Sequence, residues 1–335
     1  MAQPSNIYGV ARIHALELRL LDSGKIERMV EASTPDDVLK ILAESGEYGS
    51  SMADIQGPWD YEKLLISERK RLVDLLSRIS PSPEITDIFF MKYDIHNLKV
   101  LLKAHYLDRN YDELLSETGI YEIPVMKEAL AEGDHRHLPA FMGRAIEDVH
   151  TASEDKVDPQ RIEVILDRAY YLEVLSRCRK HKQRFCIDYF SREIDLSNIK
   201  SFFRVVIADL DHSAFTAVFI PGGTIEERLF WKAYDEGWDK LPEMLRSSDF
   251  GALAEDGVAD IREKGKLGDF EKEVDNHLFS FVRNSARNRY DSIEPILAYI
   301  FAKEYEAKAI RAIMVGKLNG LDNQAIRERL RDSYV

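Results

Sequence analysis

One pattern of an acid, an amide and a lysine stands twice in the chain, as Asp94-Ile-His-Asn-Leu-Lys99 and as Asp195-Leu-Ser-Asn-Ile-Lys200. A weaker third copy, Glu306-Ala-Lys-Ala-Ile-Arg311, follows in the same register. The copies begin 101 and 111 residues apart. Because a motif that recurs at nearly constant spacing is typical of a repeated architecture, we predict a fold of three similar units.

Weaker matches flank the copies in a constant order. Upstream of the first two motifs, an arginine (Arg69, Arg168) precedes a Leu-Ser-Arg triplet that stands at 76–78 and again at 175–177. An apolar residue followed by glutamate opens the first helix of each unit; the three pairs are at 61–62, 162–163 and 270–271. The common order of these matches supports the repeat more than any single match does.

The third unit lacks a downstream piece because the chain ends at Val335. A segment near the other end, residues 34–46, resembles the downstream piece of the first unit at 123–133. We therefore predict helical repeat units at 60–158 and 159–267, and a third at 268–335 that residues 1–59 close. Such a chain forms a closed pseudo-threefold body whose first and last segments share one unit.

The composition favours an all-α fold. Glycine (17) and proline (11) together are too sparse for a chain with many turns, and apolar residues recur with a helical period of 3.6 residues. The most strand-like stretch, 214–220, is short and stands among helical segments, so we interpret it as a helix end or a buried loop.

The charge and the cysteines exclude several classes of function. A net charge of −13 would repel a phosphate backbone, so the chain is a poor candidate for binding nucleic acid. Two cysteines, Cys178 and Cys186, form neither a disulfide framework nor a cysteine metal site, and they favour a reducing, cytoplasmic setting. No signal peptide and no apolar run long enough for a membrane span is visible.

The repeated motif places polar groups at the edge of an apolar helix face, where an unpaired carboxylate is costly. Paired acids for catalysis or cation binding are one interpretation, but a polar network repeated with the unit explains the regular spacing better. The motif positions are Asp94, Asn97, Lys99, Asp195, Asn198, Lys200, Glu306 and Arg311. We predict that Arg69 pairs with Asp94 and Arg168 with Asp195, whereas Glu306 needs another partner because Asn276 stands at the matching place.

Other candidate sites are weak. His135 and His137 alternate in a predicted loop without a third metal ligand nearby, and no phosphate-loop, dinucleotide, HExxH, GxSxG or CxxC motif is present. We therefore predict no catalytic, cofactor or metal site. A basic cluster lies in a predicted long helix from Asp158 to about Phe190. We interpret it either as a solvated face or as a docking surface for an acidic partner. Its members are Arg177, Arg179, Lys180, Lys182 and Arg184.

Three stretches carry a resemblance to a known family. Residues 90–104, which contain the first motif, resemble the repeated helix of the C subunit of the V/A-type rotary ATPases, known in eukaryotes as the d subunit. Residues 310–320 resemble the end motif of that family, and residues 8–17 resemble its start. The resemblance covers nearly the whole chain, with one departure at Ala309, where the first two copies have asparagine.

The resemblance implies an all-helical, funnel-shaped protein without catalytic activity or cofactor. It implies a central-stalk socket on the cytoplasmic face of the membrane, which joins the rotating shaft to the proteolipid ring for proton or sodium transport. The implied partners are the shaft proteins and the ring, and we expect a monomer when the chain is isolated. Two alternatives stay open at this point: a helical-repeat scaffold that binds other partners through a concave surface, and an enzyme that uses the histidine pair or the motif carboxylates.

Overall fold

The computed structural model describes residues 6–45, 47–80, 82–154, 157–287 and 289–330. Helices make up 77% of the chain, far above the roughly one third of an average globular protein, and the described residues contain no strand. The predicted all-α class is therefore confirmed. In the same described ranges, no helix combines the length and the apolar composition that a membrane span requires.

The α-helices, some of them joined by short 3-10 turns, are numbered here in chain order. They are α1 (Asn6–Glu17), α2 (Ser23–Glu31), α3 (Pro35–Glu44), α4 (Tyr61–Ile79), α5 (Pro83–Thr86), α6 (Met91–Leu107), α7 (Ile123–Glu132), α8 (Ala140–Ser153), α9 (Pro159–Lys180), α10 (Arg184–Ile207), α11 (His212–Val218), α12 (Glu227–Glu236), α13 (Leu241–Leu245), α14 (Gly251–Lys264), α15 (Gly268–Ala286), α16 (Glu294–Leu318) and α17 (Asn323–Arg327).

The first compact unit contains both ends of the chain, residues 1–86 and 275–335. Its longest helix, α16, packs against α1, α3 and α4. Leu42, Leu64 and Ile313 come from three distant parts of the sequence, yet they lie in one core and are fully buried. The N-terminal segment is thus part of the same folded unit as the helix that carries the third motif.

The second compact unit spans residues 87–274. Within it, α6, α8 and α10 all pack against α9. Its core includes an aromatic cluster in which the Phe202 ring lies 5.6 to 5.8 Å from the rings of Phe203, Phe215 and Phe230. The strand-like stretch 214–220 falls largely in α11, which confirms its interpretation as a helix end. The division into three repeat units stays a prediction.

The turn between α9 and α10 departs from the single long helix that the sequence predicted. α9 ends at Lys180 and α10 begins at Arg184. Between them, Lys182 adopts the left-handed conformation (φ 54°), which ends a helix in the way a glycine usually does. The prediction was wrong because this turn contains neither glycine nor proline, and the basic cluster therefore surrounds a turn.

Candidate functional site

The first motif holds a loop against the helix that carries it. Asp94 and Asn97 lie on the buried face of α6, and neither is exposed. The Asn97 amide donates to the Ser116 carbonyl at 2.8 Å, and the Ser116 N–H donates back to Asn97 Oδ1 at 2.7 Å. The main-chain N–H groups of Ile120 and Tyr121 donate to the Asp94 carboxylate at 3.1 and 3.0 Å. The two side chains together fix residues 116–121; we call this arrangement a helix–loop clasp.

The second motif forms the same clasp in α10. Asn198 exchanges two hydrogen bonds with the main chain of Ile220, at 2.8 and 2.9 Å. Asp195 accepts from the N–H groups of Thr224 and Ile225, each at 2.9 Å, and from the Thr224 hydroxyl at 2.6 Å. In both motifs, the acid and the amide therefore bind main-chain groups of a loop.

Both clasps require a glycine that the sequence patterns did not single out. A Cβ atom on Gly119 would lie 2.1 Å from Asp94 Oδ1, and a Cβ on Gly223 would lie 2.1 Å from Asp195 Oδ1. Neither glycine has a positive φ, so close approach to the carboxylate, not backbone conformation, demands the missing side chain. The sequence signal for this role was a glycine 25 residues after Asp94 and another 28 residues after Asp195.

The third acid, Glu306, binds the N-terminal segment. Its carboxylate accepts from the main-chain N–H of Leu21 and, at 2.9 Å, from the Tyr48 hydroxyl. Ala309 replaces the asparagine of the other motifs and has no side-chain amide for a second main-chain pair. The third carboxylate therefore also receives a main-chain N–H donor, from a residue 285 positions earlier.

Glu306 belongs to a buried ionic network around Lys303 of α16. The Lys303 ammonium lies 2.8 Å from Glu306, 3.1 Å from Glu47 and 3.6 Å from Glu68, and all four side chains are at most 7% exposed. Burial by itself would lower the pKa of Lys303, but Glu306 and Glu47 hold it above the ordinary value. Arg71 also lies 3.3 Å from Glu68 and 3.6 Å from Glu47, so the three carboxylates share one buried lysine and one exposed arginine.

Burial also shifts the pKa of the clasp carboxyls. It raises the pKa of Asp94 to about 6, against the hydrogen bonds from Tyr121 and Ile120. It raises the pKa of Asp195 as well, against the donors from Thr224 and Ile225. A pKa shift at such a site reflects enclosure and is not by itself a sign of catalysis.

The structure corrects one of the two predicted arginine pairs. The Arg168 guanidinium donates to the carbonyls of Phe219, Thr216 and Ala217 at 2.8 to 3.0 Å, where it caps the end of α11. Its pairing with Asp195 is therefore wrong, because main-chain N–H groups already satisfy that carboxylate. Arg69 lies in the first compact unit and Asp94 in the second, and that pairing stays a prediction.

The basic ends of the motifs bind the first helices of other predicted units. Lys99 lies 2.7 Å from Asp167 on α9, and Arg311 makes a two-pronged contact with Glu62 on α4 at 2.5 and 2.8 Å. Lys200 lies half-buried at the matching place on α10. Lys99 and Arg311 therefore connect helices of different predicted units.

The basic cluster is exposed except for Arg177, which pairs with Glu173 at 2.7 Å. The other four members, Arg179, Lys180, Lys182 and Arg184, form no ion pair with any residue that the structure describes. The role of this cluster, as a solvated face or as a docking surface for an acidic partner, stays a prediction.

Only one of the two histidines in the predicted loop lies near other histidines. His135 and His105 lie with ring centres 6.5 and 6.3 Å from that of His150, whereas His137 is exposed. Within the described ranges, no group of three or more histidine, cysteine or acidic side chains converges as metal ligands do.

Comparison with known proteins identifies the family of this chain. The model of the ATP synthase (C/AC39) subunit family matches residues 9–329. The chain belongs to that family. This family member is 28% identical to the C subunit of the V-type sodium ATPase of Enterococcus hirae, over 96% of its own length and 97% of the relative. It is 24% identical to the C subunit of the V-type ATP synthase of Thermus thermophilus, with 96% of both chains covered.

We expect a methyl group at either clasp glycine to break the clasp. Gly119→Ala and Gly223→Ala should each lower the free energy of unfolding by about 2–4 kcal/mol, because the carboxylate must leave its main-chain donors. Gly268→Ala is the matched control, since a Cβ there meets no atom within 4 Å. Urea unfolding followed by circular dichroism measures all three, and equal effects for the control and the clasp variants would contradict the clasp.

Asp94→Asn should destabilise the protein by about 1–3 kcal/mol at pH 7, because one main-chain N–H loses its acceptor. The folded pKa of Asp94, about 6, exceeds the unfolded value of 3.8, so the wild type loses stability as pH rises between them. The difference in free energy of unfolding between the wild type and the variant should thus be about 2 kcal/mol larger at pH 4.5 than at pH 7. Urea unfolding of both proteins at the two pH values measures it, with Glu113→Gln as an exposed control. A difference in free energy of unfolding that grows as the pH rises would refute this account.

Lys303→Met should leave the Glu306 carboxylate without a cation and Glu47 and Glu68 with Arg71 alone, at a cost of about 3–5 kcal/mol at pH 7. Lys308→Met on the same helix is the control: Lys308 is 54% exposed, and its loss should cost less than about 1 kcal/mol. Thermal unfolding at pH 7 compares the two variants, and a Lys303 variant as mild as the control would disprove the role of the network.

Proposed function

We propose that this chain is a non-catalytic central-stalk socket of a V/A-type rotary ATPase. In this role it couples the rotating shaft to the proteolipid ring, on the cytoplasmic face of the membrane. The observation that carries the proposal is the match of the ATP synthase (C/AC39) subunit family over residues 9–329. The clasps support it, because the motif carboxylates are engaged by main-chain donors and are not offered to a substrate.

A coupling protein must resist twisting, and the ion pairs between predicted units support such a role. Lys103 on the first motif helix pairs with Glu163, which opens the second unit, and Arg204 on the second motif helix pairs with Glu271, which opens the third. Arg311 on the third motif helix pairs with Glu62, which opens the first. This cyclic order of the pairs supports the proposed closure of three similar helical units.

The proposed partners are the shaft proteins and the ring, and the unpaired turn at 179–184 is one candidate contact with an acidic partner surface. The named relatives include a sodium ATPase and ATP synthases, so both sodium and protons are candidate ions. Neither contact requires covalent chemistry, but the two together must withstand torque through wide surfaces.

The experiment is removal of this chain from the purified and reconstituted parent complex. ATP hydrolysis by the soluble catalytic head should persist, whereas ATP-driven ion movement into vesicles should stop, and adding the wild-type chain back should restore it. A charge reversal of the turn, Arg179→Glu with Lys182→Glu, should weaken the restoration. Loss of head hydrolysis, or ion pumping that survives removal, would contradict the socket role.

A further inference from the structure

A groove of about 430 Å³ lies between α1 and α4 in the first compact unit. Tyr299 and Lys303 of α16 form part of its lining, together with the apolar side chains of Leu16, Leu72 and Leu75. Four arginines also line it: Arg12, Arg19, Arg71 and Arg78. The groove thus combines apolar walls with guanidinium groups from both flanking helices.

The positive charge of the groove is only partly neutralised. Arg71 donates to Glu68 at 3.3 Å, and Arg78 pairs with Asp74 at 2.6 Å. Arg12 and Arg19 are exposed and form no ion pair within the described ranges. Arg12 lies on α1, and Arg19 lies two residues beyond the end of that helix.

The outer side of this N-terminal segment is also unusually apolar. Ile7 is 62% exposed, Tyr8 61% and Leu18 86%, so three large side chains face solvent beside the unpaired arginines. Exposed tyrosine and arginine next to apolar side chains are typical of protein interfaces, whereas a solvated face carries mixed charges. This side therefore has the composition of a surface that a partner covers.

We propose that the α1–α4 groove docks an acidic amphipathic helix of a partner protein. The apolar side of that helix contacts Tyr8, Leu16 and Leu75, while its carboxylates bind Arg12 and Arg19. The unpaired charge extends from α1 into the turn that follows it, and the buried glutamates Glu47 and Glu68 already neutralise Lys303. This distribution fits an extended acidic helix better than a compact anion.

The proposal rests on the proposed function, since the partner is sought in the assembled rotary complex. A photo-crosslinking amino acid, benzoylphenylalanine, replaces half-buried Leu75 in the full chain, and the complex is irradiated and digested. Mass spectrometry should identify one partner segment that has the apolar period of an amphipathic helix and carries at least two carboxylates. The crosslink yield should fall as ionic strength rises, because salt screens exposed charge pairs.

Two charge variants make the test specific. Arg12→Glu with Arg19→Glu should lower the crosslink yield at least tenfold, and the neutral pair Arg12→Gln with Arg19→Gln should lower it less. Arg283→Glu with Arg287→Glu is the matched control, because both side chains are exposed on or just after α15 and lie outside the groove. Circular dichroism confirms that each variant is folded before use.

The groove proposal is overturned if the intact complex gives no crosslink, or if the crosslink joins Leu75 to lipid or to a segment without carboxylates. It is also overturned if the arginine variants and the control variants lose the same fraction of the crosslink yield. Ion pumping that depends on this chain while Leu75 gives no crosslink would refute the groove but leave the socket role standing. Pumping that is independent of this chain would refute the socket role instead.

Discussion

A buried carboxylate that accepts main-chain N–H groups is the interaction on which the rest of the structure depends. A charged carboxylate is costly inside a protein unless strong donors surround it, and loop N–H groups at 2.9–3.1 Å provide them at Asp94 and Asp195. In return, the loop is fixed to a rigid helix. Each of the two loops thereby gains a defined position without regular secondary structure of its own.

The third acid shows how the chain ends are joined. Glu306 takes its N–H donor from Leu21, so the N-terminal segment occupies the place that a downstream loop has in the other two motifs. Lys303 and Tyr48 enclose the same carboxylate, where the asparagine partner is missing. A longer acid with additional side-chain partners thus compensates for Ala309, and both ends of the sequence contribute to one core.

The sequence predicted the elements better than their contacts. The helical period, the motif spacing and the all-α class are properties of local sequence, so the sequence alone could show them. The partner of Asp195 was wrong because pairing between side chains can be guessed from residue types, whereas main-chain donors carry no sequence signal. The turn at Lys182 was missed for a related reason: its left-handed conformation stands where the sequence has no glycine. Gly119 and Gly223 were overlooked because their role depends on a distance across the fold.

Amide hydrogen exchange of the intact chain, followed residue by residue, tests the clasps most directly. The N–H groups of Ile120, Tyr121, Thr224 and Ile225 lie in loops, yet they should exchange as slowly as those of the buried helices α6 and α10, since exchange requires the clasp to open. In an Asp195→Asn variant, exchange at Thr224 and Ile225 should accelerate while Ile120 and Tyr121 stay protected. Fast exchange of all four N–H groups in the wild-type protein would contradict the account.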